Sequence, residues 1–203
     1  MKDTTNFDKI KKLFNENGGF ITRDDIDRER IPSWFLSDYV RKNNLIKVAP
    51  GFYVSDTYFI DPFYILQRRY PKFIFADMSA LYIHNLTDKI PAEIEVVAPQ
   101  GYNPSRSKIN GLTIRRISSF DIYNLGVEEV ETSFGNTVKA YNQERTICDV
   151  IKHRDKYDGE TFVKAIKKYV RNSYNQSKLF EYARIMGIEQ KVFEVIEVVD
   201  NND

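Results

Sequence analysis

The sequence has 203 residues, enough for one large domain or two small ones, and its hydrophobic fraction of 42% excludes disorder over most of its length. A formal net charge of +1 excludes a protein that is basic throughout, so any nucleic-acid contact requires a local basic face. The single cysteine, Cys148, excludes a disulfide framework, and the lack of a signal peptide or of an apolar run of about 20 residues predicts a cytoplasmic protein without membrane contact.

Helical signals fill the first 30 residues in two segments. Apolar residues at positions 7–14 follow a helical period, and Gly18-Gly19 ends that pattern. Thr22 is suited to cap a second helix, because two aspartates follow it in the first turn, where the helix dipole favours acids. The sequence therefore predicts two short helices in this region.

A third helix and a hairpin follow. Pro32 suits the first turn of a helix that runs to about Lys42, and Asn43-Asn44 can end it with one residue in the left-handed region. Residues 45–48 and 52–55 alternate like two strands, joined by a turn at 49–51. Three helices followed by a two-stranded wing is the order of a winged helix-turn-helix, so we predict a DNA-binding domain of this kind over residues 1–58.

The rest of the chain, residues 61–203, mixes strands and helices. The predicted helices are 63–70, 77–84 with a cap at Asp77 or nearby, and a helical remainder from 144 in three pieces, with a break at 157–159 and loops near 172–176 and Gly187. The predicted strands are 94–98, 112–117, 127–134 and 137–141, with a polar loop at 99–111. This pattern predicts a larger mixed domain. The fold class we expect is α+β, with an N-terminal winged helix-turn-helix followed by the larger α+β domain.

The third helix has two faces when it is drawn at about 100° per residue. Its apolar face would dock the helix, and its polar face would enter the major groove of DNA. The predicted DNA-binding residues are Ser33, Trp34, Ser37, Arg41 and Lys42 on the helix and Lys47 in the wing. Two alternatives stay open: Trp34 could pack against the wing or the second domain, and the charges could be an ordinary solvated face.

A second basic stripe lies in the predicted helix around residues 160–171. Its cations are Lys164, Lys167, Lys168 and Arg171, at helical spacings that bring them to one face. This stripe is either a solubilising surface of an amphipathic helix, or an auxiliary contact for DNA or for an acidic partner protein.

Catalytic and metal-binding motifs are not evident. The two histidines, His84 and His153, have no second ligand at metal spacing, and no phosphate-binding glycine loop occurs. Gly18-Gly19 followed by Asp25 and Asp27 resembles a nucleotidyltransferase pattern, but the gap is too short and the acids fall on a predicted helix, where they act as helix-capping acids. We therefore predict no enzyme, no metal ion and no cofactor.

Three segments together resemble the AbiEi family of antitoxins. Residues 45–53 (LIKVAPGFY) follow its wing ending, residues 79–81 (SAL) through Leu86, Pro91 and 94–99 (IEVVAP) follow its central stretch, and residues 142–149 (NQERTICD) are similar to its proline-glutamate-arginine-threonine motif, with Gln143 where proline is usual. The family belongs to type IV toxin–antitoxin and phage-abortive-infection systems, and the resemblance covers nearly the whole chain.

The resemblance implies a bifunctional protein. The winged helix would bind inverted repeats of double-stranded DNA in its own promoter and repress the operon, and the second domain would counteract a nucleotidyltransferase-like toxin. Glu144, Arg145 and Asp149 match the family motif, and either a buried ion pair or an active role would explain them. The alternative function is a protein-interaction adaptor that uses the winged helix and the basic face to bind an acidic partner.

Overall fold

The computed structural model describes residues 5–58, 60–102 and 111–200. Ten α-helices and two sheets make up these residues, and the protein is a mixed α+β fold. The chain forms two compact units: the N-terminal unit, Met1–Ile65, and the C-terminal unit, Leu66–Asp203. Among the described residues, no helix combines the length and apolar character needed to cross a bilayer.

Three helices and three strands form the N-terminal unit. In chain order they are α1 (Asn6–Glu16), β1 (Phe20–Thr22), α2 (Arg23–Arg28), α3 (Ser33–Lys42), β2 (Ile46–Ala49) and β3 (Phe52–Val54). The strands pair antiparallel in the order β1-β3-β2, so the sheet has three strands and the prediction of two was wrong. β1 shows no alternation because all three of its residues are buried, which leaves no sequence signal of a strand.

Local capping explains where these helices begin and end. The Thr22 hydroxyl accepts a hydrogen bond from the backbone N–H of Asp25, and the Asp25 carboxylate accepts one from the N–H of Thr22, which is a complete capping box. Asp25 thus lies on a helix, and its carboxylate takes part in the N-terminal cap of that helix. α3 ends at Lys42, and Asn44 adopts the predicted left-handed conformation, with φ 52°.

The C-terminal unit contains a five-stranded sheet and most of the helices. Its elements are α4 (Pro62–Arg69, which begins before the unit boundary), β4 (Ile74–Phe75), α5 (Asp77–Ile83), β5 (Ile94–Pro99), β6 (Leu112–Ile117), α6 (Phe120–Asn124), β7 (Val127–Glu131), β8 (Thr137–Tyr141), α7 (Gln143–Lys152), α8 (Gly159–Ser173), α9 (Gln176–Ile185) and α10 (Glu189–Asp200), with a 3₁₀ turn at Arg154–Lys156. The strand order is β6-β5-β4-β8-β7. The pairs β5/β6 and β4/β8 are parallel, and the other two pairs are antiparallel.

Several sequence predictions for this unit need correction. The helical remainder is interrupted at the three predicted positions, and these breaks separate four α-helices where we had counted three pieces. β7 ends at Glu131, since the next residues form the turn into β8. β4 and α6 were missed, because both are very short. The predicted loop at 99–111 falls largely outside the described residues.

The cap of α5 lies next to Asp77, within the range we predicted, and the Asp77 side chain itself is not the cap. The capping residue is Ala76, which makes no side-chain bond, and Asp77 has a φ of 49°, a conformation that a residue with a side chain rarely adopts. Its carboxylate instead binds Arg115 on β6, at 3.2 Å from Nε. The Asp77 side chain therefore links α5 to β6.

Candidate nucleic-acid interface

The inner face of α3 anchors the helix to the core of the N-terminal unit. Leu36 and Tyr39 are buried, and they pack with apolar residues of α1, β1 and α2. The Phe35 ring meets Phe7 edge-on at 5.6 Å, and Tyr39 lies 6.0 Å from Phe14. The helix is therefore held by aromatic contacts along one side.

The outer face of α3 carries the residues that the sequence selected for DNA contact. Ser33, Trp34 and Ser37 are exposed, Trp34 by 60%, and the Arg41 side chain is 80% exposed. The Trp34 indole stacks on the neighbouring Phe35 ring, with 3.6 Å between centroids. An exposed indole beside serines and an arginine makes a surface that can offer both apolar contact and hydrogen bonds to a base edge.

Asp38 links the two cations of this face, an arrangement that the sequence analysis did not identify. Asp38 Oδ1 lies 2.6 Å from Arg41 Nη2, and Oδ2 lies 2.8 Å from Lys42 Nζ. Hydrogen bonds from Lys42 and from Arg41 hold the pKa of the Asp38 carboxyl below its ordinary value. We call Asp38, Arg41 and Lys42 the α3 triad; its spacing of three and four residues was visible in the sequence.

Lys42 has a further contact that fixes its position. Its Nζ lies 4.7 Å from the centroid of the Phe7 ring on α1, a cation–π distance. The ammonium is therefore held between a ring and the Asp38 carboxylate. Of the two cations in the triad, Lys42 is tied to the rest of the unit and Arg41 extends into solvent.

The β2–β3 hairpin supplies the remaining predicted contact. Lys47 is exposed on β2 and pairs in register with Tyr53 on β3. The turn at Gly51 is tied to α2, because the backbone N–H of Arg23 donates to the Gly51 carbonyl at 2.7 Å. Arg23 is a half-exposed cation at this turn that the sequence analysis did not select, and its Nε lies 3.3 Å from Asp27.

The α8 stripe is partly engaged within the C-terminal unit. Lys164 Nζ lies 2.7 Å from Glu160, and Lys168 Nζ lies 2.8 Å from Asp88, which holds the pKa of the Asp88 carboxyl below its ordinary value. Lys167 is half-buried and Arg171 is exposed. Ion pairing of this kind is typical of a solvated helix face and lowers the charge that the stripe offers to a partner.

The segment at residues 142–149 contains a buried ion pair. Arg145 and Asp149 are each 1% exposed, and Arg145 Nε lies 3.3 Å from Asp149 Oδ2. Arg145 Nη1 also donates to the carbonyls of Ile122 and Leu125, at 2.7 and 3.0 Å. The guanidinium carbon lies 4.3 Å from the centroid of the Tyr141 ring. Glu144, in the same segment, forms an ion pair with Lys178, with 3.2 Å between Oε2 and Nζ.

This pair belongs to a larger cluster, the buried network, formed by Asp77, Arg115, Arg145 and Asp149. Arg115 Nη2 lies 3.0 Å from Asp149 Oδ2, so that the carboxylate is shared by two guanidinium groups. The network joins α5, β6 and α7 of the C-terminal unit. The second oxygen of Asp149 is buried and has no hydrogen-bond partner, and neither has Nδ1 of His153.

Two groups beside the network have altered proton affinities. Burial raises the pKa of Glu95, whose carboxylate accepts a 2.6 Å hydrogen bond from the N–H of Met78. Burial, and then the charge of Arg115, lower the pKa of His153.

Cys148, on the same helix as Arg145, is a buried free thiol, and burial raises its pKa to about 12. Within the described ranges, no group of three or more potential ligands is placed to hold a metal ion.

Comparison with known proteins identifies a shared fold. No protein-family model matches the chain, and no curated protein matches it either. Among solved structures, the crystal structure of the RV2827C protein from Mycobacterium tuberculosis is similar, with a TM-score of 0.60 and 12% sequence identity over 87% of this chain and 70% of that chain. At this level of identity the similarity concerns the fold alone.

Proposed function

We propose that this protein is a DNA-binding transcriptional repressor whose N-terminal unit is a winged helix-turn-helix. The observation that carries the proposal is the division of α3 into a buried face and an exposed polar face. Leu36 and Tyr39 are buried and anchor the helix in the core. Trp34, Ser37 and Arg41 are exposed on the opposite face. A helix anchored in this way fits the major groove, which is wide enough to admit it.

The residues of this face have distinct roles in the proposal. Ser33 and Ser37 bond base edges or phosphates, Arg41 bonds guanine, and Trp34 contacts thymine methyl groups or sugars. Lys47 on the hairpin meets a phosphate beside the groove. Phosphate contacts of this kind give affinity without sequence preference and make binding sensitive to salt.

We further propose that the protein acts as an autorepressor and antitoxin of the AbiEi kind. The N-terminal unit would bind inverted repeats in its own promoter, and the C-terminal unit would counteract a nucleotidyltransferase-like toxin. The motif resemblance supports this proposal, and so does the separate core of the C-terminal unit, which gives a second function a folded body of its own.

A gel-shift titration with the upstream promoter duplex tests the DNA-binding half. A plot of log affinity against log salt concentration should have a slope of about −0.9 for each phosphate contacted. Lys47→Ala should make that slope less steep by about 0.9, the value for one contact. Arg41→Ala should lower affinity for the operator more than for random duplex. If no salt-sensitive complex forms with the promoter, the proposal is wrong.

Growth rescue tests the antitoxin half. If the neighbouring gene encodes a nucleotidyltransferase toxin, co-expression of this chain with that toxin should restore growth. Substitutions in the C-terminal unit should change this rescue without changing promoter binding. Failure to rescue, with promoter binding intact, would leave a repressor without antitoxin activity.

A protein-interaction adaptor is the second candidate, and one observation favours it. Trp34 is 60% exposed and Ile46 on β2 is 49% exposed, and exposed tryptophan is enriched where protein interfaces gain most of their affinity. This candidate predicts a partner protein that binds with micromolar or better affinity, no promoter footprint, and loss of binding with Trp34→Ala. A promoter footprint without such a partner would exclude it.

A further inference from the structure

The α3 triad has a geometry that a group of solvated charges would not require. The Asp38 side chain is only 20% exposed, whereas the Arg41 side chain is 80% exposed. A mostly buried carboxylate therefore binds a guanidinium that extends into solvent. An arginine side chain that is this exposed loses considerable conformational entropy when a ligand fixes it. A 2.6 Å bond to Asp38 removes part of that freedom before any ligand arrives.

The anchoring of Asp38 passes through Lys42 to the core. Phe7 on α1 and the Asp38 carboxylate hold the Lys42 ammonium from two sides, at 4.7 and 2.8 Å. Asp38 thereby has one oxygen fixed by Lys42 and the other bonded to Arg41. Arg41 is oriented by a series of contacts that begins at a ring of the N-terminal unit's core.

The bond to Asp38 leaves the arginine able to read a base. A guanidinium group has five N–H donors, and the contact with Asp38 is made through Nη2. Enough donors remain for two parallel bonds, the pattern with which arginine recognises the O6 and N7 acceptors of guanine. A fixed side chain makes that pair more selective, because a misplaced base cannot be met by rotation of the arginine.

The charge of Asp38 has a second effect. The triad carries two cations and one acid, so this part of α3 attracts phosphates less strongly than two cations alone would. A carboxylate near the DNA backbone also repels phosphates, which penalises any placement of the helix other than over the base edges. Both effects lower affinity for random sequence more than affinity for the operator.

We infer that Asp38 is a specificity-determining residue, which orients Arg41 to bind guanine in the major groove and weakens binding to non-operator DNA. The inference rests on the proposed DNA-binding function and deepens it by naming the base. It predicts that each operator half-site presents a guanine to α3.

The test is selection of bound duplexes from a randomised library, followed by fluorescence anisotropy with the best and with random sequences. The full-length protein is compared with Asp38→Asn, Arg41→Lys and Asp27→Asn. Asp27→Asn is the matched control, since it removes the same charge from a surface acid that pairs with Arg23 on α2, away from the triad. Thermal melts check that all four proteins are folded.

We expect wild type to prefer guanine at one position, and Arg41→Lys to reduce that preference about tenfold, because lysine cannot form the two parallel bonds. Asp38→Asn should raise affinity for random duplex and reduce the guanine preference by about two- to fivefold. Asp27→Asn should raise general affinity at most, with the base preference unchanged.

Three results would overturn the inference while DNA binding stands. The first is a guanine preference that survives Arg41→Lys, and the second is an equal change in base preference for Asp38→Asn and Asp27→Asn. The third is a preference for cytosine that Asp38→Asn alone removes, which would mean that Asp38 itself bonds the base. If wild type forms no salt-sensitive complex with any duplex, the proposed function fails, and the inference fails with it.

Discussion

The α3 triad and the buried network each contain one carboxylate shared by two cations, and they differ in exposure. In the triad the two cations are 80% and 59% exposed, and in the network the shared carboxylate and one guanidinium are 1% exposed. Exposed pairs add little stability because water and salt screen them. A buried pair cannot lose one member without leaving an unpaired charge in the core. The comparison indicates that the triad is available for binding, whereas the network serves the fold.

The largest expected effect is therefore in the network. Asp149→Ala leaves two guanidinium groups without their shared carboxylate, one of them fully buried, and should lower the free energy of unfolding by about 3–5 kcal/mol. Urea denaturation followed by circular dichroism measures this change. A loss as small as that of an exposed pair would mean that the network does not stabilise the C-terminal unit.

A smaller effect is expected where the backbone packs against the network. Gly126 has a φ of 75°, and an added Cβ would lie 2.7 Å from the Cβ of Arg145 and 3.0 Å from Oδ1 of Asn142. Gly126→Ala should cost about 1–3 kcal/mol from overpacking, in addition to backbone strain. Gly135→Ala is the control, since its φ of 80° is similar and nothing lies within 4 Å of the added Cβ. Equal losses for the two variants would show that packing against Arg145 contributes nothing.

The pH dependence of stability should distinguish the contribution of Glu95 from that of the buried network beside it. Its folded-state pKa is raised by burial, so its contribution is fully present below the ordinary pKa of 4.5 and is lost as pH rises through the folded-state value. Glu95→Gln keeps an acceptor for the N–H of Met78 without the charge. Its melting temperature should equal or exceed that of wild type near neutral pH, and the advantage should vanish below pH 4.5. A variant that is less stable at neutral pH would contradict this prediction.

The smallest effect is expected in the triad. Asp38→Ala removes an acid whose partners are mostly in solvent, and we expect no measurable change in melting temperature beside the large loss for Asp149→Ala. A clear drop would mean that the triad supports the fold of the N-terminal unit, and would weaken the assignment of a binding role.

Local signals in the sequence predicted much of the N-terminal unit. Thr22 caps α2 and Asn44 ends α3 because both depend on neighbours within a few residues. The exposure of Ser37 and Arg41 also followed from helical periodicity alone. The triad was within reach of the same reasoning, since its pairs are separated by three and four residues.

Features that depend on distant residues could not be predicted in this way. β1 and β4 have three and two residues, and each exists because a partner strand from elsewhere in the chain pairs with it. Arg115 meets Asp77 across 38 positions of sequence, and no local signal indicated the positive φ of Asp77. Only the three-dimensional arrangement shows that a motif arginine and a strand arginine share one carboxylate.

The exposure of Trp34 has a practical consequence, because it is the one tryptophan in the sequence. Indole emission from the native protein therefore originates on α3, from a ring that is 60% exposed and stacked on Phe35. Any molecule that covers this helix should shift that emission to shorter wavelength or quench it. The chain thus carries its own optical reporter at the surface that matters for its proposed activity.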